Sequence, residues 1–195
     1  VCAVVEYSSR AAERQNKLST RFNHLAEILG EAAAWAKLDG AEMVTAKHVQ
    51  KTIVEKEDRL RLYEEKLDEM LEENVIMIDV DGAEVGQING LAVLDMGSYA
   101  FGNPSRITAT TYVGKSGIVN IEKEARMSGQ THDKGVQIIT GYLGQTYAQK
   151  FPLSLSCRVC FEQNYNGIDG DSASSTELYC ILSSLAELPI RQDLA

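Results

Sequence analysis

Apolar positions recur at helical spacing early in the chain and at alternating spacing later. Leu25, Ile28, Leu29, Ala32 and Trp35 share one face of a helix, and Val49, Ile53, Leu60, Tyr63, Leu67 and Met70 share one face of another. A first helix is expected from about Cys2 to Lys17. Ser19 and Thr20 offer N-cap oxygens to the second helix, and Gly40 ends it. Thr45 caps a third, which extends to about Glu73, with Glu55, Lys56, Asp58 and Arg59 on its solvated face. From Val75 to Val80 the pattern alternates as in a strand and turns at Asp81-Gly82. Further strands are expected over Leu91–Leu94, Arg106–Val113, Ile118–Glu122, Val136–Ile139 and Leu153–Phe161. Helices are expected over Thr140–Lys150 and about Ser172–Glu187.

Glycine and proline divide the chain in the same way. Of fifteen glycines only Gly30 and Gly40 precede residue 75, and Pro104, Pro152 and Pro189 all follow it. These residues punctuate turns between short elements. The fold class expected is α+β: a small all-α helical bundle over residues 1–73, then a mixed α/β domain over residues 74–195.

A net charge of −9 argues against nucleic acid or an anionic membrane as the main partner. No apolar run approaches the roughly 18 residues that a membrane span needs, and the N-terminal stretch lacks the pattern of a signal peptide, so a cytoplasmic location is expected. Cys157 and Cys160 have CxxC spacing but lie in an expected strand, where i and i+3 face opposite ways. With no second cysteine pair, buried reduced thiols are expected and no metal site.

Gly114-Lys115-Ser116 resembles the end of a phosphate-binding loop, but Ala109 stands where the leading glycine belongs and the context is strand–turn–strand. A hairpin turn is expected there. Ser172 stands where a polar, turn-rich stretch (Asn166-Gly167, then Ile168-Asp169-Gly170-Asp171) passes into an apolar helix pattern at Leu178, Ile181, Leu182 and Leu185. Unpaired N–H groups at such a helix start can stabilise an oxyanion. They can equally be capped by Asp171 or Ser172, and local sequence alone favours the cap. Of the three histidines only His132 is placed to act as a base, in an order that resembles chymotrypsin-type triads. The chain after Glu73 is short for two β-barrels, so a lysine base must also be considered.

Ordered matches then carry a resemblance. They run through Gly117–Glu122, Ser128-Gly129, His132–Val136, Gly141–Leu143, Pro152–Leu155, Phe161–Gln163, Asp169–Ser174, Glu177-Leu178 and Leu182-Ser183. Residues 117–190 thereby resemble the protease domain of the Lon family. The form Gly170-Asp171-Ser172-Ala173-Ser174 resembles its archaeal-type branch and bacterial relatives. Leu18–Arg21 and Val44–Val49 resemble the helical lid of that branch's AAA+ ATPase module.

The resemblance implies an ATP-dependent serine endopeptidase acting on unfolded or regulatory proteins. Ser172 would be the nucleophile of a Ser–Lys dyad, and backbone amides around Gly170–Ser172 would hold the oxyanion. Asp169, Gly170, Asp171, Glu122 and Cys160 would line the site, and Arg21 would be the sensor of nucleotide phosphates. In the family the lysine follows the serine by roughly forty residues, a spacing set by the fold. It would therefore fall beyond Ala195, leaving a truncated protease domain expected to be inactive by itself. ATP with Mg would bind a large ATPase subdomain whose phosphate-binding loop this chain does not carry. Copies would assemble as a homo-oligomeric ring, expected to be hexameric. A non-catalytic assembly module of such a ring is the alternative reading.

Overall fold

A computed structural model describes residues 1–97, 99–165 and 167–194. Asn166, expected in the polar stretch before Ser172, and the end residue Ala195 lie outside the described residues. The chain divides into two compact units, Val1–Lys66 and Leu67 onward.

In the first unit α1 spans Cys2–Ala11, α2 Phe22–Leu38 and α3 Ala46–Leu60. Ile28, Ala32 and Val49 form its buried centre, with Ala3, Val4, Tyr7 and Ile53 packed against them. The first helix ends earlier than its apolar pattern suggested, and Glu13 beyond it takes a left-handed φ of 54°. Buried Ser8 there accepts the Ser19 N–H on its hydroxyl at 3.0 Å. The N-cap of α2 is Arg21, with no side-chain cap bond; Ser19 instead accepts the Arg21 N–H at 3.2 Å, shaping the turn before it. Gly40 closes α2 with φ 69°, a left-handed terminus that costs glycine little. Thr45 is the N-cap of α3, and His48 Nδ1 accepts the Thr45 N–H at 3.1 Å. The helical run breaks at Arg61 and resumes as α4, Leu62–Glu72.

In the second unit β1 (Ala83–Glu84), β2 (Gln87–Asp95), β3 (Ala100–Val113) and β4 (Gly117–Asn120) precede α5 (Ile121–Glu124) and α6 (Gln130–Tyr147). Then follow β5 (Leu155–Phe161), α7 (Ser174–Ala186) and β6 (Ile190–Arg191). The main sheet has order β2-β3-β5-β4, antiparallel except for the β4–β5 pair, while β1 pairs with β6. Parallel neighbours need a crossover, and α5 with α6 supplies it. Gly114–Ser116 is therefore not a hairpin: β3 and β4 it joins lie on either side of β5. Ile107, Val159, Phe161 and Cys157 on the sheet pack against Ile139 and Leu143 of α6 and Cys180 and Ile181 of α7.

Two expected strands are absent for physical reasons. Val136–Ile139 lies inside α6, whose buried residues His132, Val136, Ile139 and Leu143 follow helical spacing. Val75–Val80 alternates but joins no sheet; the Gln163 side chain accepts the Met77 N–H at 2.8 Å and donates to Val75 O at 2.9 Å. The segment expected as Ile118–Glu122 stops at Asn120, whose side chain accepts the Glu122 N–H and starts α5. Pro104 stands inside β3, where only β2 is its neighbour, so no ladder bond to a second strand is lost.

Candidate active site

Ser172 sits in the turn between β5 and α7 and is exposed. The helix starts two residues later than its pattern suggested, at Ser174, with Ala173 at the N-cap and no side-chain cap bond. Neither Asp171 nor Ser172 therefore caps α7, and the Ser172 hydroxyl is left for other work. The first bonds of the turn run from Ser174 N–H to Asp171 O (3.2 Å) and from Glu177 N–H to Ala173 O (2.9 Å). Among the described residues the N–H groups of Asp171 and Ser172 meet no acceptor, whereas Gly170 donates its own to Asp169 Oδ1 at 2.8 Å. Of the amides expected to face an oxyanion, two are free and one is spent. Ser172, Gly170 and Asp169 border a groove of about 290 Å³ that runs along Leu91–Leu94 of β2, an edge strand of the main sheet.

Asp169 works at a different helix. Its Oδ1 also accepts the Thr131 N–H at 3.0 Å and the His132 N–H at 3.2 Å, two of the orphan donors of α6. These backbone bonds, Gly170's first, hold its carboxyl below the ordinary aspartate range. Gly129, the N-cap of α6, brings no side-chain oxygen to cap it; a Cβ there would collide with the Asp169 carboxyl. The backbone closes the same contact through Gly129 N–H to Ile168 O (2.7 Å) and Ile168 N–H to Met127 O (2.8 Å).

His132 is fully buried, and both ring nitrogens are engaged. Nε2 lies 3.0 Å from Glu177 Oε1 and Nδ1 lies 2.9 Å from Ser128 Oγ, which leaves neither for a triad with Ser172. Burial alone would lower its pKa, but the hydrogen bond and charge of Glu177, backed by Glu122 and Asp133, raise it. In sequence Glu177 stands only as one of the ordered matches, with no role assigned, although a carboxylate one turn ahead of buried Cys180 and Ile181 is a readable signal. The other buried acid, Glu122, accepts the Phe161 N–H on Oε1 at 2.7 Å, while its Oε2 has no partner among the described residues. Beside it the Cys160 thiol is pushed up to about 11 by burial and by that carboxylate. Cys157 is buried on the opposite, core face of β5. Arg21 belongs to the first unit and is exposed at the start of α2. Among the described residues no group of three or more His, Cys, Asp or Glu could hold a metal, and no helix is long and apolar enough to cross a membrane.

Residues 1–59 match the family model described as the archaeal LonB AAA+ ATPase LID domain. A Lon protease homolog of Escherichia coli (strain K12) is 38% identical over 136 residues, covering 69% of this chain and 23% of that protein. The chain belongs to the Lon family. Its archaeal type shows in the lid match and in the archaeal Lon protease of Archaeoglobus fulgidus, 26% identical over 204 residues, which cover all of this chain and 31% of that protein. A Lon protease homolog of Haemophilus influenzae is 36% identical over 137 residues, 69% of this chain and 22% of the relative. This Lon chain thus spans between a fifth and a third of the length of these relatives.

Proposed function

We propose that this chain is the lid and the nucleophile-bearing part of an ATP-dependent serine endopeptidase in which Ser172 attacks the substrate carbonyl. The observation that carries the reading is an exposed hydroxyl with no capping duty, beside two unpaired amides at the head of a groove. In this reading the amides of Asp171 and Ser172 receive the oxyanion, in a setting where fixed dipoles cost no reorganisation. A substrate strand lies along the edge of β2, where main-chain pairing accepts many sequences, as a degrading enzyme requires. The general base is a lysine outside this chain, and in this reading buried Glu122, whose Oε2 meets no hydrogen-bond partner among the described residues, is the polar residue that stands near the dyad.

In this reading Arg21 meets the nucleotide: an exposed guanidinium at a helix start, without an ion pair among the described residues, fits a phosphate oxygen. ATP bound by the rest of the protein supplies the work of unfolding. The whole protein is a homo-oligomeric ring, hexameric in this reading, that takes protein substrates.

A fluorophosphonate probe on the whole protein tests the assignment. Labelling at Ser172, lost in Ser172→Ala together with peptide cleavage, is expected. Cleavage that persists in Ser172→Ala would leave the chain as an assembly module.

A further inference from the structure

One residue of α6 holds both ends of the segment that carries Ser172. The main-chain N–H of His132 donates to Asp169 Oδ1 at 3.2 Å, three residues before the serine. Its imidazole lies 3.0 Å from Glu177 Oε1, five residues after it. One turn along, Ser174 Oγ is seated against Gly135, where no Cβ intervenes. The loop is therefore stapled to α6 on either side of the nucleophile.

The protons can be counted from the acceptors. Ser128 Oγ lies 2.7 Å from Asp133 Oδ1, and a carboxylate only accepts, so the Ser128 proton points to Asp133. The Ser128 oxygen then accepts at 2.9 Å from Nδ1 of His132, which must carry hydrogen. Nε2 faces the Glu177 carboxylate and must carry one too. The Asn120 amide nitrogen stands farther from Nδ1, at 3.4 Å, while its oxygen is committed to the Glu122 N–H. With Glu177 as a carboxylate the ring is an imidazolium, faced by Glu177 from α7, Asp133 from its own helix and Glu122 from α5, with Lys123 3.8 Å from Asp133.

We infer that His132 is the positioning residue that fixes the Ser172 turn, by its main-chain N–H to Asp169 on one side and by its buried imidazolium to Glu177 on the other, and that it transfers no proton in the reaction. The inference rests on the reading of Ser172 as nucleophile for its kinetic consequence only. Charge-assisted hydrogen bonds are the strong ones, and here one is made to a buried glutamate whose second oxygen has no partner among the described residues.

The test compares His132→Gln with Leu143→Ala, which opens a cavity near the far end of α6, in the whole protein at a temperature where both remain folded. In His132→Gln, amide exchange in the peptide spanning Asp169–Glu177 should accelerate roughly tenfold or more, and fluorophosphonate labelling of Ser172 should slow by a similar factor. KM for a peptide should stay within about twofold, and the labelling pH profile should keep its midpoint, because no base has been removed. Leu143→Ala should leave local exchange and labelling unchanged. Equal acceleration in both variants, or none in His132→Gln, overturns the inference, as does a shifted midpoint. Should His132→Gln fail to fold, Glu177→Gln, which keeps volume and an acceptor but removes the charge, is read by the same criteria. If the unaltered protein is not labelled at all, the nucleophile reading fails, while the exchange comparison still decides the staple.

Discussion

Replacing Gly135 by alanine measures how closely α7 is seated on α6. The new Cβ would fall onto Ser174 Oγ, with Asp171 Cβ and Cα next, at 3.6 and 3.7 Å. Forcing an extra carbon into a packed interior costs about 1–3 kcal/mol. Alanine is favoured over glycine inside a helix by about 0.8–1 kcal/mol, which offsets part of that. A net loss of roughly 1–2 kcal/mol is expected for Gly135→Ala alone. Ser174→Ala removes a hydroxyl that is buried without a partner among the described residues, so by itself it should be close to neutral. In that background the nearest atoms to the new Cβ are those at 3.6 Å, an ordinary contact. Gly135→Ala should then stabilise by about 0.5–1 kcal/mol. The substitution changes sign with its background, a coupling of roughly 2 kcal/mol that suits residues in contact. Hydrogen exchange at the α6 core amides of Val136, Ile139 and Leu143 would follow the four proteins, since Trp35 reports only on the first unit. A Gly135→Ala effect equal in both backgrounds to within about 0.5 kcal/mol would refute the reasoning.

Because Ser172 is exposed and caps nothing, Ser172→Ala should change stability by less than about 0.5 kcal/mol, against ~1 kcal/mol for a lost N-cap; chemical denaturation distinguishes the two. His132 has a folded pKa raised from 6.5, so its contribution is complete below that value and is lost as pH rises through the raised one. Thermal unfolding between pH 6.5 and 8.5 should therefore show a decline that is flatter in His132→Gln. Burial pushes the Cys157 and Cys180 thiols up to about 12 and, with Glu122, Cys160 to about 11, leaving Cys2 as the exposed thiol. A maleimide at neutral pH should mark Cys2 and spare the others until the fold is opened, read by peptide mass.

The helical first unit was legible because its caps and apolar stripes are local: Gly40 and Thr45 bound their helices as the sequence indicated. The second unit was less so, since long-range partners decide it. Gly135, Gly141 and Gly144 disguised α6 as a strand and a shorter helix, although Gly135 is there to admit Ser174. Alternation in Val75–Val80 was real, but its hydrogen bonds are with Met70 O and with the Gln163 and Asn89 side chains, and no strand lies beside it. For the candidate site, sequence singled out Ser172 and Glu122 but not the contacts that divide their work. Asp169 looked like a neighbour of the serine, and its carboxylate serves α6; His132 looked like a base, and its nitrogens are already engaged.

The cap that α6 borrows has a consequence for how the chain matures. Thr131 at its start finds its acceptor 38 residues further along, so a ribosome that has just completed α6 has not yet made the group that finishes it. Contacts so distant in sequence form late, after the loop-closure entropy between them has been overcome. Until Asp169 arrives, the leading turn of α6 frays, and the loop that will display Ser172 has nothing to stand on. Asp169 is made only three residues before Ser172, so a chain that ends with α6 carries neither the cap nor the hydroxyl, and both arrive together.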